Sequence, residues 1–384
     1  MRHVVKTAIA AALLSAALVS TAHAEKLRLG VIAALTGPGA PWGIALAEAP
    51  KLIAADINAK GGLDVGGKKY QIEVIAYDDQ YKAAEAVAAY NRLTNQDQVK
   101  YIFFNSSAST LALKQNVEDD KILGLTAAYT AKALDINSKY MFRLYSPPAD
   151  YVPSFIAWMK DNVKNKRVVI VNPNDETGWD QTQLTEKVFK ENGFDVLGSE
   201  LFERAQKDFQ PMMTKIIGMK ADLIELGGTS PATAGLIVRQ ARELGYKGLF
   251  SKTGGAGPKD IVAAAGKEAA EGVINMLYAD PASDGYRRIA AEYKKAVGQE
   301  PNEILVSFYD ATNVLLRAIQ KAGTIDDTAK VAAAFSQALP MRSVQGDELT
   351  LGGKARYGVD QQIMSVNYIG VIENGEPVVL GKAK

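Results

Sequence analysis

The 384-residue chain has no cysteine and only two histidines. Without cysteine there is neither a disulfide to stabilise the fold nor a thiol nucleophile. The two histidines, His3 and His23, both lie in the first 24 residues. If that segment is removed, the usual zinc ligand sets and the Ser-His-Asp and Cys-His catalytic arrangements are excluded. We therefore predict no enzyme, no catalytic residue, no metal and no cofactor.

The chain also lacks an excess of charge of either sign. It has 44 Lys and Arg against 43 Asp and Glu, for a formal net charge of +1. Domains that bind nucleic acid usually carry a strong basic excess that neutralises phosphates. The balanced charge therefore indicates that no nucleic acid is a partner.

A long apolar run occurs only at the start of the chain. Arg2 and Lys6 precede the apolar residues 8–19, and Ala22, His23 and Ala24 form a small-x-small sequence. This pattern is typical of a cleaved export signal. The alternative, a membrane anchor, needs about 20 apolar residues. We expect export and cleavage after Ala24, which assigns residues 1–24 to a signal peptide.

The first segment after this signal predicts a strand, a loop and a helix. Residues 26–32 become continuously apolar, as expected of a strand in a buried sheet. Residues 35–43 contain three glycines and two prolines and indicate a sharp loop. A helical pattern then runs to Gly61 and Gly62. Trp42, in the predicted loop, is interpreted either as a wall of a ligand site or as a cap on the core.

The same alternation of strand and helix continues along the chain and restarts after a break at residues 145–148. Alternation of this kind predicts parallel sheets covered by helices. Polar loops follow the strands in both halves of the pattern. We therefore predict an α/β protein with two lobes, several chain crossings and a hinged cleft. The predicted N-terminal lobe comprises residues 25–146 and 279–362, and the C-terminal lobe comprises residues 147–278 and 363–384.

Several short motifs resemble one known family. They are residues 30–38 (GVIAALTGP), residues 55–62 (ADINAKGG), Tyr77-Asp78-Asp79, Phe142-Arg143 and residues 239–242 (RQAR). Together they resemble the leucine/isoleucine/valine-binding type of periplasmic solute-binding proteins, in the right order over essentially the whole chain after residue 24. The resemblance implies a type I periplasmic-binding-protein fold, with two doubly wound parallel-sheet lobes joined by a three-crossing hinge. It also implies a periplasmic monomer that delivers a small ligand to the membrane permease of an ABC importer.

The resemblance also implies which residues hold the ligand. The polar loop after the third strand would bind a carboxylate, with Ser107 as its hydroxyl donor, although these serines also suit a helix N-cap. The implied ligand-binding residues are Trp42, Asn105, Ser106, Ser107, Ala128, Tyr129, Thr130, Thr177, Trp179, Thr229, Ser230, Thr253 and Gly254. Trp179 is equally consistent with packing near the hinge, and whether Lys252 and Tyr145 face the cleft is left open.

One position departs from the pattern of amino-acid-binding members. These members place an acidic residue opposite the ligand ammonium, and Gly254 occupies the matching position here. Because a desolvated ammonium without a counter-charge is costly, we predict a carboxylate ligand without an α-amino group. Benzoate-like, hydroxycinnamate-like and aryl 2-oxo acids fit this description, and a branched-chain or other hydrophobic amino acid is the alternative. A sensory ligand-binding module of the same fold is a second functional class.

Overall fold

The computed structural model describes residues 25–383 except Ala256. The predicted signal peptide, residues 1–24, lies outside the described residues. The described part consists of two β-sheets with helices packed against them. Within this part, no helix combines the length and the apolar character needed to cross a membrane.

The described residues contain sixteen strands. In chain order they are β1 (Lys26–Ala33), β2 (Leu63–Val65), β3 (Lys68–Asp78), β4 (Tyr101–Phe104), β5 (Leu123–Thr126), β6 (Met141–Arg143), β7 (Arg167–Pro173), β8 (Asp195–Phe202), β9 (Leu223–Glu225), β10 (Leu249–Lys252), β11 (Ile274–Leu277), β12 (Met341–Arg342), β13 (Glu348–Gly352), β14 (Gln362–Met364), β15 (Asn367–Glu373) and β16 (Glu376–Ala383).

Helices connect most of these strands, and a short 3-10 turn spans Ala131–Ala133. In chain order the α-helices are α1 (Ala40–Ala59), α2 (Ala83–Asn95), α3 (Ser107–Asp119), α4 (Pro148–Asn162), α5 (Glu176–Glu191), α6 (Gln210–Gly218), α7 (Pro231–Glu243), α8 (Pro258–Ala265), α9 (Lys267–Ala270), α10 (Asp284–Val297), α11 (Leu305–Ala322), α12 (Thr328–Ala338) and α13 (Lys354–Tyr357).

The strands form a nine-stranded and a seven-stranded sheet. The first has the order β12-β13-β14-β6-β5-β4-β1-β3-β2 and is parallel from β14 to β3. The second has the order β16-β15-β11-β10-β9-β7-β8 and is parallel from β11 to β8. The chain passes between the sheets after β6, β11 and β14. The predicted α/β fold class is therefore confirmed.

Both sheets have the topology that creates a ligand crevice. β1 lies between β3 and β4, and β7 lies between β8 and β9. The strand order therefore reverses at β1 in the first sheet and at β7 in the second. Such a reversal opens a crevice at the carboxyl ends of the strands. The loops after β1, β3, β4, β5 and β6 belong to the first sheet, and those after β7, β8, β9 and β10 belong to the second. We call the space between these two groups of loops the cleft.

Two parts of the sequence-based prediction need correction. Trp42 does not lie in a loop, because α1 begins at Ala40 with Pro41 in its first turn. Proline is favoured there, since its missing N–H has no helical partner at that position. The short or edge strands β2, β12, β13 and β16 were missed, because their alternation is brief or partly exposed.

The close approach of α1 to the end of β1 depends on Gly43. A Cβ atom built on Gly43 would lie 1.9 Å from the carbonyl oxygen of Ala34. This is far shorter than any van der Waals contact, and the clashing atom belongs to the backbone. A side chain at Gly43 would therefore displace the first turn of α1, which carries Trp42.

We predict that Gly43→Ala lowers the free energy of unfolding by about 1–3 kcal/mol, the usual range for overpacking. Urea unfolding measures the change. Gly218→Ala is the matched control, because Gly218 also lies in a helix and nothing is within 4 Å of its Cβ position. The control should be neutral or stabilising by up to about 1 kcal/mol. Equal destabilisation by the two substitutions would contradict the proposed close approach.

Candidate ligand-binding site

A partly enclosed cavity lies in the cleft. Loops of the first sheet supply most of its wall, whereas Thr177 comes from the start of α5 and Ile304 precedes α11. The lining residues are Trp42, Tyr81, Asn105, Ser106, Ser107, Ala127, Tyr129, Tyr145, Thr177 and Ile304. Six of the sequence-predicted site residues are therefore brought together here.

Four aromatic side chains form the apolar part of the wall. Trp42 and Tyr81 lie with ring centroids 6.4 Å apart. The hydroxyls of Tyr129 and Tyr278 are 3.1 Å apart, and the Tyr145 hydroxyl donates to the carbonyl of Ala127. Burial raises the pKa of Tyr81, Tyr129 and Tyr145, so these phenols stay neutral. The wall therefore offers flat, uncharged faces to a ligand.

Two hydrogen-bond donors at the cavity wall have no protein acceptor. Asn105 is 6% exposed, and its buried Nδ2 has no hydrogen-bond partner in the described structure. The Ser107 hydroxyl accepts the N–H groups of Tyr129 at 3.1 Å and Thr130 at 3.3 Å. Because a hydroxyl has two lone pairs and one proton, these bonds occupy its acceptor capacity and leave its proton to donate. The cavity thus has a polar end that can hold an anion.

The neighbouring Ser106 is engaged within the protein. Its Oγ accepts the N–H of Ser109 at 3.1 Å as the N-cap of α3 and lies 2.8 Å from Ser109 Oγ. Ser109 donates its own proton to the Asp79 carboxylate at 2.5 Å. The Ser106 hydroxyl must therefore donate to Ser109, so its proton is not available to a ligand. Although Ser106 lines the cavity, its contacts are those of the helix cap that we held as the alternative.

The predicted roles of Ala128 and Thr130 also need correction. Neither residue lines the cavity, and both carbonyl oxygens accept hydrogen bonds from the buried guanidinium of Arg143. The Thr130 hydroxyl accepts the N–H of Lys132 at 3.3 Å. These residues shape the loop after β5. A guanidinium behind this loop makes the nearby field unfavourable for a ligand ammonium.

On the side of the second sheet, Thr177 is the sequence-predicted residue that reaches the cavity. Trp179 is 50% exposed and donates its indole N–H to Asn174 at 2.9 Å, so it lies outside the cavity wall. Trp179 lies two residues after Thr177 in α5. Side chains two residues apart in a helix point to different faces.

The other predicted residues of the second sheet are buried behind the wall. Thr229 donates to the Val171 carbonyl at 3.2 Å, and Ser230 donates to Thr233 at 2.8 Å. Thr253 donates its hydroxyl to Glu225 at 2.6 Å. Their hydroxyl protons are thus used inside the protein. A Cβ built on Gly254 would lie 3.1 Å from the Tyr129 ring, so this position adjoins a cavity residue.

Tyr81 is the main cavity residue that the sequence reasoning missed. It follows Gln80, and both residues have positive φ angles, 61° and 49° respectively. Asp78 and Asp79 hold this turn by accepting the N–H groups of Gln80 and Tyr81, each at 2.9 Å. Asp78 also accepts the N–H of Leu35 at 2.9 Å and so braces the loop after β1. The acidic pair was the feature of the sequence that indicated this turn, because Asp side chains stabilise such turns.

The cavity wall contains no carboxylate. Neither aspartate nor glutamate is among the lining residues. In the part of the chain that the structure describes, no group of three or more His, Cys, Asp or Glu side chains is arranged to hold a metal ion. The arrangement can therefore bind an anion through neutral donors and can enclose an apolar body between rings.

Residues 26–376 match the family model described as periplasmic binding protein. The chain belongs to this family. The predicted resemblance is thereby confirmed, and the match covers most of the chain.

Curated relatives of this periplasmic binding protein agree with the family assignment. The Leu/Ile/Val-binding protein of Escherichia coli K12 is 28% identical over 328 residues, 85% of this chain and 87% of that protein. A leucine-, isoleucine-, valine-, threonine- and alanine-binding protein of Pseudomonas aeruginosa is 28% identical over 315 residues, 81% and 82% of the two chains.

Solved structures show the same fold. The leucine-binding protein of Thermotoga maritima has a TM-score of 0.79 at 22% identity, covering 93% of this chain and 99% of that one. A solute-binding protein of Rhodopseudomonas palustris, solved with benzoate, has a TM-score of 0.79 at 18% identity and covers 93% and 96% of the two chains. The protein thus has the type I periplasmic-binding-protein fold, and the relatives named above are amino-acid-binding and solute-binding proteins.

The contacts of the two adjacent cavity residues Ser106 and Asn105 predict different effects on stability. Ser106→Ala should lower the free energy of unfolding by about 1 kcal/mol, because α3 loses its N-cap and Ser109 loses a partner. Asn105→Ala should change it by less, because Nδ2 has no protein partner. Urea unfolding of both variants measures the difference. A larger loss for Asn105→Ala would contradict our assignment of Ser106 to the fold and Asn105 to the ligand.

Proposed function

We propose that this protein is the substrate receptor of an ABC importer for a small aromatic carboxylate without an α-amino group. The observation that carries the proposal is the composition of the cavity. Its polar end has donors without protein acceptors, its walls are aromatic, and neither aspartate nor glutamate lines it. Such a cavity suits an anion with a flat apolar body.

The carboxylate would bind at the start of α3. Asn105 Nδ2 and the proton of the Ser107 hydroxyl supply two donors, and the helix N-terminus adds a favourable electrostatic field. Because buried donors are costly when they lack partners, a bound carboxylate would satisfy groups that the fold itself leaves unpaired. These donors would bind the carboxylate group whatever body the rest of the ligand has.

The body of the ligand would lie between the rings of Trp42, Tyr81, Tyr129 and Tyr145. Aromatic rings pack favourably in offset or edge-to-face arrangements, at about 0.5–1.5 kcal/mol per pair beyond the burial of area. Benzoate-like, hydroxycinnamate-like and aryl 2-oxo acids combine such a ring with a carboxylate. We propose these acids as the ligand class.

An α-ammonium would find no carboxylate in the wall of this cavity. Glu225 is the buried carboxylate at the end of β9, but it accepts hydrogen bonds from the Ser251 hydroxyl and from the N–H and hydroxyl of Thr253. Gly254 supplies no side chain, and the guanidinium of Arg143 occupies the carbonyls of the opposite loop. An unpaired buried ammonium costs several kcal/mol.

A branched-chain or other hydrophobic amino acid is the second candidate. It is favoured by the printed names of the curated relatives, which include the Leu/Ile/Val-binding protein of Escherichia coli at 28% identity. In either case, we propose that the protein is exported, acts as a monomer and delivers its ligand to a membrane permease. An amino acid needs an acidic partner for its ammonium group in the cleft, whereas an amine-free acid does not.

The direct test is a thermal-shift screen of the protein after unfolding and refolding, which removes any co-purified ligand. The panel contains benzoates, hydroxycinnamates and 2-oxo acids beside branched-chain and aromatic amino acids. We expect only the amine-free acids to raise the unfolding temperature, because a ligand that binds the folded state stabilises it. A shift produced only by amino acids would replace the proposal with the second candidate.

Substitution of Gly254 tests the role of the missing acidic residue. Gly254→Glu should weaken binding of the acid selected by the screen at least tenfold, because it places a carboxylate beside Tyr129 near the ligand anion. Gly254→Gln is the matched control for size, since its Cβ would meet the same tight contacts. Calorimetry on both variants measures affinity. Equal losses would show that space rather than charge at this position governs binding.

A further inference from the structure

We propose that Lys252 makes closure of the cleft depend on a negatively charged ligand, and that it thereby selects anions over neutral molecules of the same shape. Lys252 is the last residue of β10 in the second sheet. This inference deepens the proposed function and rests on it for the identity of the ligand. The mechanism itself depends on the position of one amine.

The Lys252 amine lies where the two sides of the cleft meet. Its side chain is fully buried, and Nζ is 5.8 Å from the centroid of the Trp42 ring, which belongs to α1 on the other side. A Cβ built on Gly255 would lie 2.8 Å from Trp42, 3.0 Å from the Tyr129 hydroxyl and 3.1 Å from Lys252 Nζ. The amine, the indole and the phenol therefore converge at Gly255, and separation of the two sides would uncover the amine.

The fold gives this amine dipolar partners but no counter-ion. Nζ donates to the carbonyl oxygens of Gly254 and, at 3.5 Å, of Gly227. In the described part of the chain, no carboxylate oxygen forms an ion pair with it within 4.0 Å. Carbonyl oxygens orient an ammonium group but do not neutralise it. A protonated Lys252 in the closed cleft is therefore a buried positive charge that the fold compensates only in part.

The charged groups around Lys252 do not remove this imbalance. Glu225 on β9 and Glu303 before α11 face it with opposite charge, and Arg204 after β8 faces it with like charge. Glu225 already accepts three hydrogen bonds from Ser251 and Thr253, and burial raises the pKa of Glu303 to about 8. Burial lowers the pKa of Lys252 to about 7 despite both glutamates. Desolvation therefore outweighs their attraction.

These contacts make the charge of the ligand decisive for closure. When the two sides are apart, water solvates the amine, and closure without an anion removes that solvation. A ligand carboxylate between the two sides supplies the missing negative charge in a region of low dielectric, where the attraction is strong. A neutral ligand of the same shape fills the space but leaves the amine uncompensated. Lys252 thus opposes closure of the unloaded protein and favours closure on an anion.

The test combines Lys252→Met with a measurement of cleft opening that needs no ligand. Because the chain has no cysteine, Lys82→Cys and Lys207→Cys provide unique labelling sites on exposed residues that follow Tyr81 and Arg204 on the two sides. Spin-label distances then report the open and closed populations. We expect Lys252→Met to increase the closed fraction of the ligand-free protein at least threefold. Lys247→Met, at an exposed lysine before β10, should leave it unchanged.

The second measurement compares benzoate with benzamide, its neutral analogue, by calorimetry. Lys252→Met should reduce the ratio of benzoate to benzamide affinity at least tenfold, and Lys247→Met should preserve it. Lys252→Gln is a second neutral variant, should the methionine variant fold poorly. An unchanged distance distribution in the ligand-free neutral variants would overturn the inference. If neither compound binds the wild type, benzoate is excluded as the ligand, and the ligand-free distances still decide the role of Lys252.

Discussion

The buried guanidinium of Arg143 is the interaction on which the ligand-facing side of the first sheet depends. It holds the carbonyls of Ala128 and Thr130 and so fixes the loop after β5. That loop in turn directs the N–H groups of Tyr129 and Thr130 to the Ser107 hydroxyl, which leaves the hydroxyl proton for a ligand. One cation that never reaches the cavity thus determines the direction of a donor at its wall. Burial lowers the pKa of this guanidinium, but its carbonyl partners stabilise the charge.

Two acidic residues near the cleft, Asp79 and Asp175, are paired with donors of the protein. Asp79 accepts from Ser109 and the N–H of Tyr81, and Asp175 accepts from the N–H of Gly178 and from Arg204, whose guanidinium lies 4.3 Å from the centroid of the Tyr81 ring. Each carboxylate is occupied by donors of the protein itself. Asn105 Nδ2 and the proton of the Ser107 hydroxyl, by contrast, have no acceptor in the described structure. This division makes the cleft receptive to an anion although the chain as a whole is nearly neutral.

Local sequence pattern predicted the alternation of strands and helices and the polar loop at Asn105 and Ser107, because both follow from periodicity and from chain direction in parallel sheets. It could not predict which hydroxyl proton is available, since that depends on Asp79, a residue from another strand end. Nor could it assign Tyr81 to the wall, because a positive φ at Gln80 and Tyr81 orients that ring. The burial of Lys252 is likewise a tertiary effect, since a lysine at the end of a strand is ordinarily exposed.

The three passages of the chain between the sheets also constrain how the molecule can be assembled. Along the chain, strands β12, β13 and β14 of the first sheet come after strands β7 to β11 of the second sheet. Strands β15 and β16 of the second sheet come last. Contacts such as that between Lys100 and Asp326 join residues 226 positions apart. Because loops of this length must close before such contacts form, folding is expected to be slow. Neither sheet can be completed until nearly the whole chain has been synthesised.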